Sequence, residues 1–481
     1  MAISNALNNA ISGLGAAGRS AQVVSSNIAN ALTPGYGKRE VDLASRALTG
    51  GATVAGVTRA SDPALLSERR ASDAAVASGD TTVTGLQRLT DAMGEPGAPQ
   101  SIPGRVAALS GLLTEAASQP ASQPRLNALA DGARALAGSL NAASDTVQSV
   151  RLDADRSIAA QVDRLNTSLA RVDTLNGDIM RARVQGNDVN GLLDARQAEI
   201  DSIAGIVPLR ELPRPNGGVA LITTGGALLL DDRPARVGFS PAGAMTPGDA
   251  LGGTLSGLNI NGLPVDMSRS SGRMSGGSLQ AAFDLRDRTG VAAQAQLDGL
   301  ARELIARVSA PGVDPTIAAG SPGLFTDAGA AFAPANEVGL AGRVTLNAAV
   351  DPAQGGAVWR LRDGVGATAP GPQGDARLLN ALGAALGASQ PAASAALGTG
   401  SFSLGGQADQ VASSLGSSLF RAEQDRTFAL SRSSELIARE LEQGVDTDAE
   451  LQTLLLVEQI YTANTKVIQA ADTMLQQLLE I

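Results

Sequence analysis

The side chains that most often carry nucleophilic or acid–base chemistry are missing from this sequence. Its 481 residues include no cysteine and no histidine. That removes Cys nucleophiles, Ser–His and Cys–His pairs, histidine general bases and the usual zinc ligand sets, and leaves carboxylate pairs as the open route to catalysis. Asp194 and Arg196 look most like a catalytic or ligand-binding couple. Opposite charges so close together more often form a structural ion pair, and we read them as ordering the turn after a long helix. Glycine pairs at 217–218, 225–226, 252–253 and 276–277 lack the strand–GxGxxG–helix or Walker context of a phosphate loop and read as turns. Asp231-Asp232 and Asp446-Thr447-Asp448 lack calcium-loop spacing and read as solvated faces or helix starts. A secreted glycosidase on a coiled-coil stalk would be an alternative function, but it wants an aromatic pocket. Trp359 stands alone in a chain that is 2% aromatic. No catalytic, cofactor-binding or metal-ligating residue is assigned, no cofactor is expected, and the chain does not read as an enzyme.

The elements around these residues are built from small side chains. Ala, Gly, Ser and Leu dominate, which suits long, closely packed helices and thin β elements better than one bulky core. A net charge of −10 argues against a nucleic-acid partner. No run of 18 apolar residues is present, so no membrane span is expected. The start, Met1-Ala2-Ile3-Ser4-Asn5, has no basic region followed by an apolar block, so no cleaved signal peptide is expected. The protein then either stays in the cytoplasm or leaves by a route that does not cleave it.

Both ends carry heptad seams. Ile3, Leu7, Ala10, Leu14, Ala17, Ala21, Val24, Ile28 and Ala31 are spaced alternately by four and three, a strict a/d seam. Pro34-Gly35 breaks it. Leu454, Val457, Tyr461, Asn464, Ile468, Ala471, Leu475 and Leu478 repeat the pattern, and Ile460, Val467, Met474 and Ile481 widen the face at every seventh residue. Asn464, polar within that seam, either fixes register and partner number or simply reaches water. One helix cannot bury such a stripe alone. The two seams must meet each other or copies on other subunits.

Between the ends a long seam runs from Leu136 to Ile179, predicting one helix over about 125–185. The steps Ala154–Ile158–Val162 are both four, a stutter that locally relaxes a supercoil. Further helices are expected near 63–92, 104–117, 278–308 and 410–443. Asn216-Gly217, between Leu209–Leu212 and Val219–Ile222, predicts a tight hairpin, so 205–275 reads as a small β-rich domain. The Gly/Pro-rich stretch 311–400 is left without a placed fold, apart from a hairpin expected around Asp363-Gly364. The fold class is mainly α with inserted β: terminal helices in a coiled-coil-like bundle, an elongated helical middle (37–204 and 276–443) and small β domains.

Three segments resemble the flagellar rod, hook and junction axial protein family. Ser26-Asn27-Ile28-Ala29-Asn30 with Thr33-Pro34-Gly35-Tyr36 is similar to its Asn-rich helix end and Thr-Pro-Gly-aromatic turn. Gly37 here precedes Lys38-Arg39, where the family more often has Thr directly after the aromatic. Gly444-Val445-Asp446, Glu450 and Tyr461-Thr462-Ala463-Asn464 resemble its closing helix. Gly186-Asn187-Asp188-Val189-Asn190-Gly191-Leu192-Leu193-Asp194-Ala195-Arg196 resembles the hook-associated, hook–filament junction members, with Gly191 where they usually have Asp. Leu285-Arg286-Asp287, Leu297-Asp298 and Val344-Thr345-Leu346-Asn347 look like them too.

The resemblance implies a structural subunit of the bacterial flagellum involved in assembly and motility. It would be exported through a type III channel without a cleaved signal, with a chaperone beforehand, and would join hook to filament outside the cell. Its partners would be copies of itself in a ring, hook protein, and a second junction protein or flagellin. Residues 1–36 and 444–481 would form the inner-tube assembly domain. The assembly interface would comprise Leu7, Leu14, Val24, Asn27, Ile28, Asn30, Pro34, Gly35, Tyr36, Leu454, Val457, Tyr461, Asn464, Ile468, Leu475 and Leu478. Another axial role, as a hook or distal-rod subunit, is the nearest alternative.

Overall fold

The structure is a computed structural model and describes residues 2–33, 35–46, 50–269 and 271–479. It is mainly α with inserted β. Helix α1 (Ala2–Asn30) leads into a hairpin, β1 (Arg39–Ser45) and β2 (Ala52–Arg59), paired antiparallel. Then come α2 (Pro63–Met93), α3 (Ile102–Ser118), α4 (Gln123–Val184) and α5 (Asn190–Ala204). Strands β3 (Leu209–Pro213), β4 (Val219–Thr223) and β5 (Leu228–Leu230) form one small antiparallel sheet. A second is formed by β6 (Val237–Gly238), β7 (Leu258–Ile260) and β8 (Leu263–Val265). Helices α6 (Gly277–Asp284) and α7 (Gly290–Val308) are joined by a wide π-turn, Leu285–Thr289. Short pieces follow: β9 (Phe325–Asp327), β10 (Val344–Leu346), α8 (Arg360–Asp363), α9 (Arg377–Gly387), β11 (Gln390–Pro391) and β12 (Ser401–Phe402). Helices α10 (Leu404–Glu442) and α11 (Thr447–Leu479) close the chain.

Helix starts follow local chemistry. Asp62 accepts from the Ala64 and Leu65 amides at 2.9 and 3.1 Å, with Pro63 at the first turn of α2. Ser101, Ser403 and Asp446 do the same for α3, α10 and α11. The Asn216-Gly217 hairpin forms, with both residues at positive φ, 58° and 81°. No hairpin forms at Asp363-Gly364. Arg360–Asp363 is a single helical turn that Gly364 ends.

α4 is the spine, and two hydrophobic cores are strung along it. Leu126, Leu129, Leu136, Leu140, Val147 and Val150 belong to the first, with side chains of α3, α7, α9 and the start of α10. Ile158, Val162, Leu165, Leu169 and Val172 belong to the second, with Ile200 and Ile203 of α5, Leu209, Val219, Leu221 and Leu229 of the strands, and Phe283. The strands over 209–265 therefore share their core with the helix that runs past them. Between the cores, where the sequence stutters, α4 buries two charges. Arg151 donates to the carbonyls of Arg286, Thr246 and Asp249 at 2.9, 3.0 and 2.6 Å. Asp155 pairs with Arg286 at 2.7 Å, both almost wholly buried, and accepts from the Ala242 amide at 2.7 Å. The Arg286 guanidinium also holds Asp287 and lies 5.5 and 4.9 Å from the Phe239 and Phe283 rings.

Removing one partner of this pair is expected to cost far more than removing both. Arg286→Met leaves the Asp155 carboxylate buried with one amide partner, and urea denaturation should show a loss of about 3–5 kcal/mol. Asp155→Leu with Arg286→Met should recover most of it. Equal losses in the single and double variants would show that the pair itself is not what binds the two cores.

Candidate assembly surface and its anchor

The two terminal seams meet each other. α1 and α11 pack along their length, burying Ala10, Ala17 and Val24 of one seam and Val457 and Ala471 of the other. Leu7, Leu14, Ile28, Leu454, Asn464 and Ile468 are half-buried, while Tyr461 and Leu475 stay exposed. Pro34 lies outside the described residues, as does the side chain of Leu478. Asn464 packs on Gly13: a Cβ there would stand 2.8 Å from its amide, so the glycine admits it to the pair. Its Nδ2 donates back to the Ile460 carbonyl at 3.0 Å.

The pair does not use up the apolar surface of α11. Ile460, Val467 and Met474, the row that recurs every seventh residue, are 43, 44 and 46% exposed, and Leu456, one turn before Ile460, is 56% exposed beside it. On another side Leu451 and Leu455 are 49 and 60% exposed. α1 is more fully covered because β1 and β2 also pack along it. The hairpin is tied on where the Ala52 amide donates to the Ser12 hydroxyl at 3.2 Å. Among the exposed large apolar side chains of α1, Ile11 stands alone. The result is a two-helix unit with one helix sheathed and the other bare along one flank.

That unit is anchored by polar side chains at its base. Asn27, buried in the last turns of α1, takes the place of a strand neighbour. Its Oδ1 accepts from the Arg39 amide at 3.0 Å and the Tyr36 hydroxyl at 2.9 Å, and its Nδ2 donates to the Arg39 carbonyl at 2.9 Å. Asn30 donates to the Ser26 carbonyl, and the Arg39 guanidinium covers the Tyr36 ring at 4.9 Å. The turn at Gly35, φ 80°, faces Ala198 of α5, whose Cβ would lie 3.4 Å from a Cβ on residue 35. Asp194 of α5 then gathers three donors: Arg59 at 2.6 Å, the Gly37 amide at 3.1 Å and Arg39 at 3.2 Å. A Cβ on residue 37 would lie 2.4 Å from Arg59 Nε, so glycine is what lets Arg59 reach Asp194. Gln197 holds the other side of the Arg59 guanidinium, and Asn190 donates to the Val57 carbonyl at 3.0 Å. Residues 190, 194, 197 and 198 fall on one face of α5, which is the face that seats the hairpin and turn. Lys38 reaches Glu450 of α11 at 3.6 Å. All three segments singled out in the sequence meet here.

Asp194 and Arg196 do not pair with each other. Arg196 turns the opposite way, donating to Asn176 at 2.9 Å and the Gly217 carbonyl at 2.7 Å, which ties α4 and α5 to the hairpin loop. A second ionic cluster braces the end of α10: Arg69 holds Asp73, Asp201 and Glu440 at 2.8, 2.6 and 2.7 Å, and Arg70 holds Asp201 and Glu211. Burial pushes the Glu440 carboxyl up, against the pull of Arg69. The hairpin, its docking face and this cluster were not foreseen in the sequence. Among the described residues no group of three or more acidic side chains is arranged to hold a metal. The charged groups of these two clusters join separate elements.

Comparison with known proteins gives two family matches. Residues 86–316 match the flagellar hook-associated protein FlgK helical domain, and residues 442–481 match the flagellar basal body rod FlgEFG protein C-terminal domain. Together they cover more than half of the chain. No curated protein matches. Among solved structures, the flagellar hook junction protein FlgK from Burkholderia pseudomallei is similar at 21% identity and a TM-score of 0.43. The match covers 54% of this chain and 46% of that one.

Asp194→Asn keeps the shape but removes the charge that Arg39 and Arg59 share. The expected cost is about 1.5–3 kcal/mol, localised to the base. Amide hydrogen exchange should quicken at least about tenfold over residues 50–59 while α4 is unchanged. Unaltered exchange in the hairpin would mean that Asp194 is not its anchor.

Proposed function

We propose that this chain, a hook-associated protein of the FlgK type by its helical domain and an axial protein by its closing helix, is a structural subunit joining the flagellar hook to the filament. The observation that carries the reading is the bare flank of α11, held on a pair whose other helix is sheathed and whose base is locked to α5. A bare heptad row on a rigidly anchored helix is a surface for further helices. Copies of the same chain would supply them, building an inner wall from residues 1–36 and 444–481, with hook protein on one side and a second junction protein or flagellin on the other. The seam residues named from the sequence would then divide their work. Ala17, Val24, Val457 and Ala471 close the pair within a chain, while Ile460, Val467 and Met474 face the neighbour. The role is mechanical and involves no reaction. It belongs outside the cell, reached by export through a type III channel with a chaperone covering the bare row beforehand.

Deleting the gene should leave cells with hooks, without attached filaments, and with flagellin lost to the medium. Filaments of normal length would overturn the assignment, and missing hooks would favour a hook or rod subunit.

Val467→Asp separates assembly from folding. The position is already wet in the single chain, so urea denaturation should move by no more than about 0.5 kcal/mol. Buried between copies, the unpaired carboxylate costs several kcal/mol, and immunoelectron microscopy should find no protein at hook tips. Normal incorporation would show that this flank does not meet a neighbour.

A further inference from the structure

Asn-Gly pairs occur at 176–177, 190–191, 216–217 and 261–262. In such a pair the glycine nitrogen, with no Cβ on its own residue to obstruct it, can attack the side-chain carbonyl of the Asn before it. How firmly the fold holds the two groups decides whether it does. Asn176 is buried and bonded to the Val219 amide and carbonyl and to Arg196, and Gly177 lies inside α4. Asn190 is buried at the start of α5 and donates to the Val57 carbonyl at 3.0 Å. Asn261 accepts from the Arg236 amide at 2.8 Å. Asn216 differs from all three. It is exposed at the tip between β3 and β4, and its side chain makes no hydrogen bond among the described residues.

Two guanidinium groups meet at this tip. Arg196 donates to the Gly217 carbonyl at 2.7 Å. Arg183, in the last turn of α4, lies against the glycine itself: a Cβ on Gly217 would stand 2.6 Å from its Cζ. Neither arginine makes an ion pair among the described residues. Burial depresses the Arg196 guanidinium below its ordinary value, and Arg183 adds to the depression while Glu211 opposes it. The species formed in the attack are anions: the glycine nitrogen once it has lost its proton, then the oxyanion on Asn216 Cγ. Cations beside them favour both. We propose that Asn216 is a site of spontaneous deamidation, with water as the only co-reactant. The Gly217 nitrogen gives its proton to solvent and bonds to Asn216 Cγ. The bond from Cγ to the side-chain nitrogen breaks, and that nitrogen leaves as ammonia, taking a proton from solvent. Water then opens the five-membered imide at either carbonyl, giving aspartate or the isoaspartyl link through the side-chain carboxyl. One water is consumed, one ammonia is released, and nothing is oxidised or reduced. The tip gains a carboxylate next to Arg183, which has no counter-charge while residue 216 is an amide.

The purified full chain, held in warm, mildly alkaline buffer and then digested with trypsin, provides the test. The peptide 211–236 contains Asn216 as its sole Asn. It should gain about one dalton and split into two new chromatographic peaks, one of them labelled by isoaspartyl methyltransferase. Peptides carrying Asn176, Asn190 and Asn261 should lag at least about tenfold behind, because the fold must open locally before they react. In urea all four pairs should convert at similar rates. Arg183→Gln should slow the folded chain's conversion at Asn216 at least about threefold and leave the rate in urea unchanged. Asn216 intact in the folded chain while it converts in urea would overturn the site. Equal conversion at Asn261 would overturn the selection of Asn216 by the fold. An unchanged rate in folded Arg183→Gln would overturn the part given to the cation.

Discussion

Two helices can bury only the faces they turn to each other, and everything at the base of this molecule answers to that limit. α11 carries apolar residues around more of its circumference than α1 can cover. The chain does not add a third helix to the pair. It lays the β1–β2 hairpin on α1 and leaves α11 open on its far side. An open apolar row on a pair free to reorient would invite indiscriminate association. Here the pair is fixed through Asn27, Asp194 and Lys38 to the body, so the row has one direction.

The anchoring is polar where the cores are apolar, and the division has a physical basis. A side chain of small volume gives little hydrophobic energy, and much of this chain is Ala, Gly and Ser. Directional bonds from arginine to carboxylate fix orientation at joints where little apolar area is available. The same device appears at the base around Asp194, at the end of α10 around Arg69, and between the two cores around Arg286.

Periodicity carried much of the fold. The terminal seams, the spine over about 125–185 and the Asn216-Gly217 hairpin were visible because each is a local pattern repeated along the chain. The hairpin at 39–59 was not, because most of β1 is exposed and its apolar–polar alternation runs only from Glu40 to Leu43. It is held by side chains from α1 and α5, and its bonds to Asp194 span 135 and 155 residues. Asp194 and Arg196 looked like a pair because they are neighbours in sequence. On a helix, residues two apart point to different sides, so each found a different partner. Asp363-Gly364 carried the right dipeptide for a hairpin, but only Trp359–Arg362 before it alternates while Gly364–Pro370 after it is small residues and proline, and the glycine serves to end a helical turn. Within 311–400 most strands and helical turns are too short to leave a period; α9 is the exception, with Leu379, Leu382 and Leu386 at helical spacing, and it was missed among the Gly- and Pro-rich loops around it.

The spine has a mechanical consequence. α4 spans 62 residues without a break, about 90 Å at 1.5 Å per residue, and both cores grip it. A beam clamped at two places resists bending between them, and the Arg286 cluster stiffens the one interval where apolar packing is interrupted. Beyond the spine, two short connections carry load between body and terminal pair: the Gly35–Gly37 turn, held by Asp194 of α5, and the α10–α11 junction around Gly444. Under a twisting force the body would turn as one piece, and the polar bonds around Asp194 and Lys38 would pass the torque to the terminal pair, much as a keyed coupling drives one shaft from another.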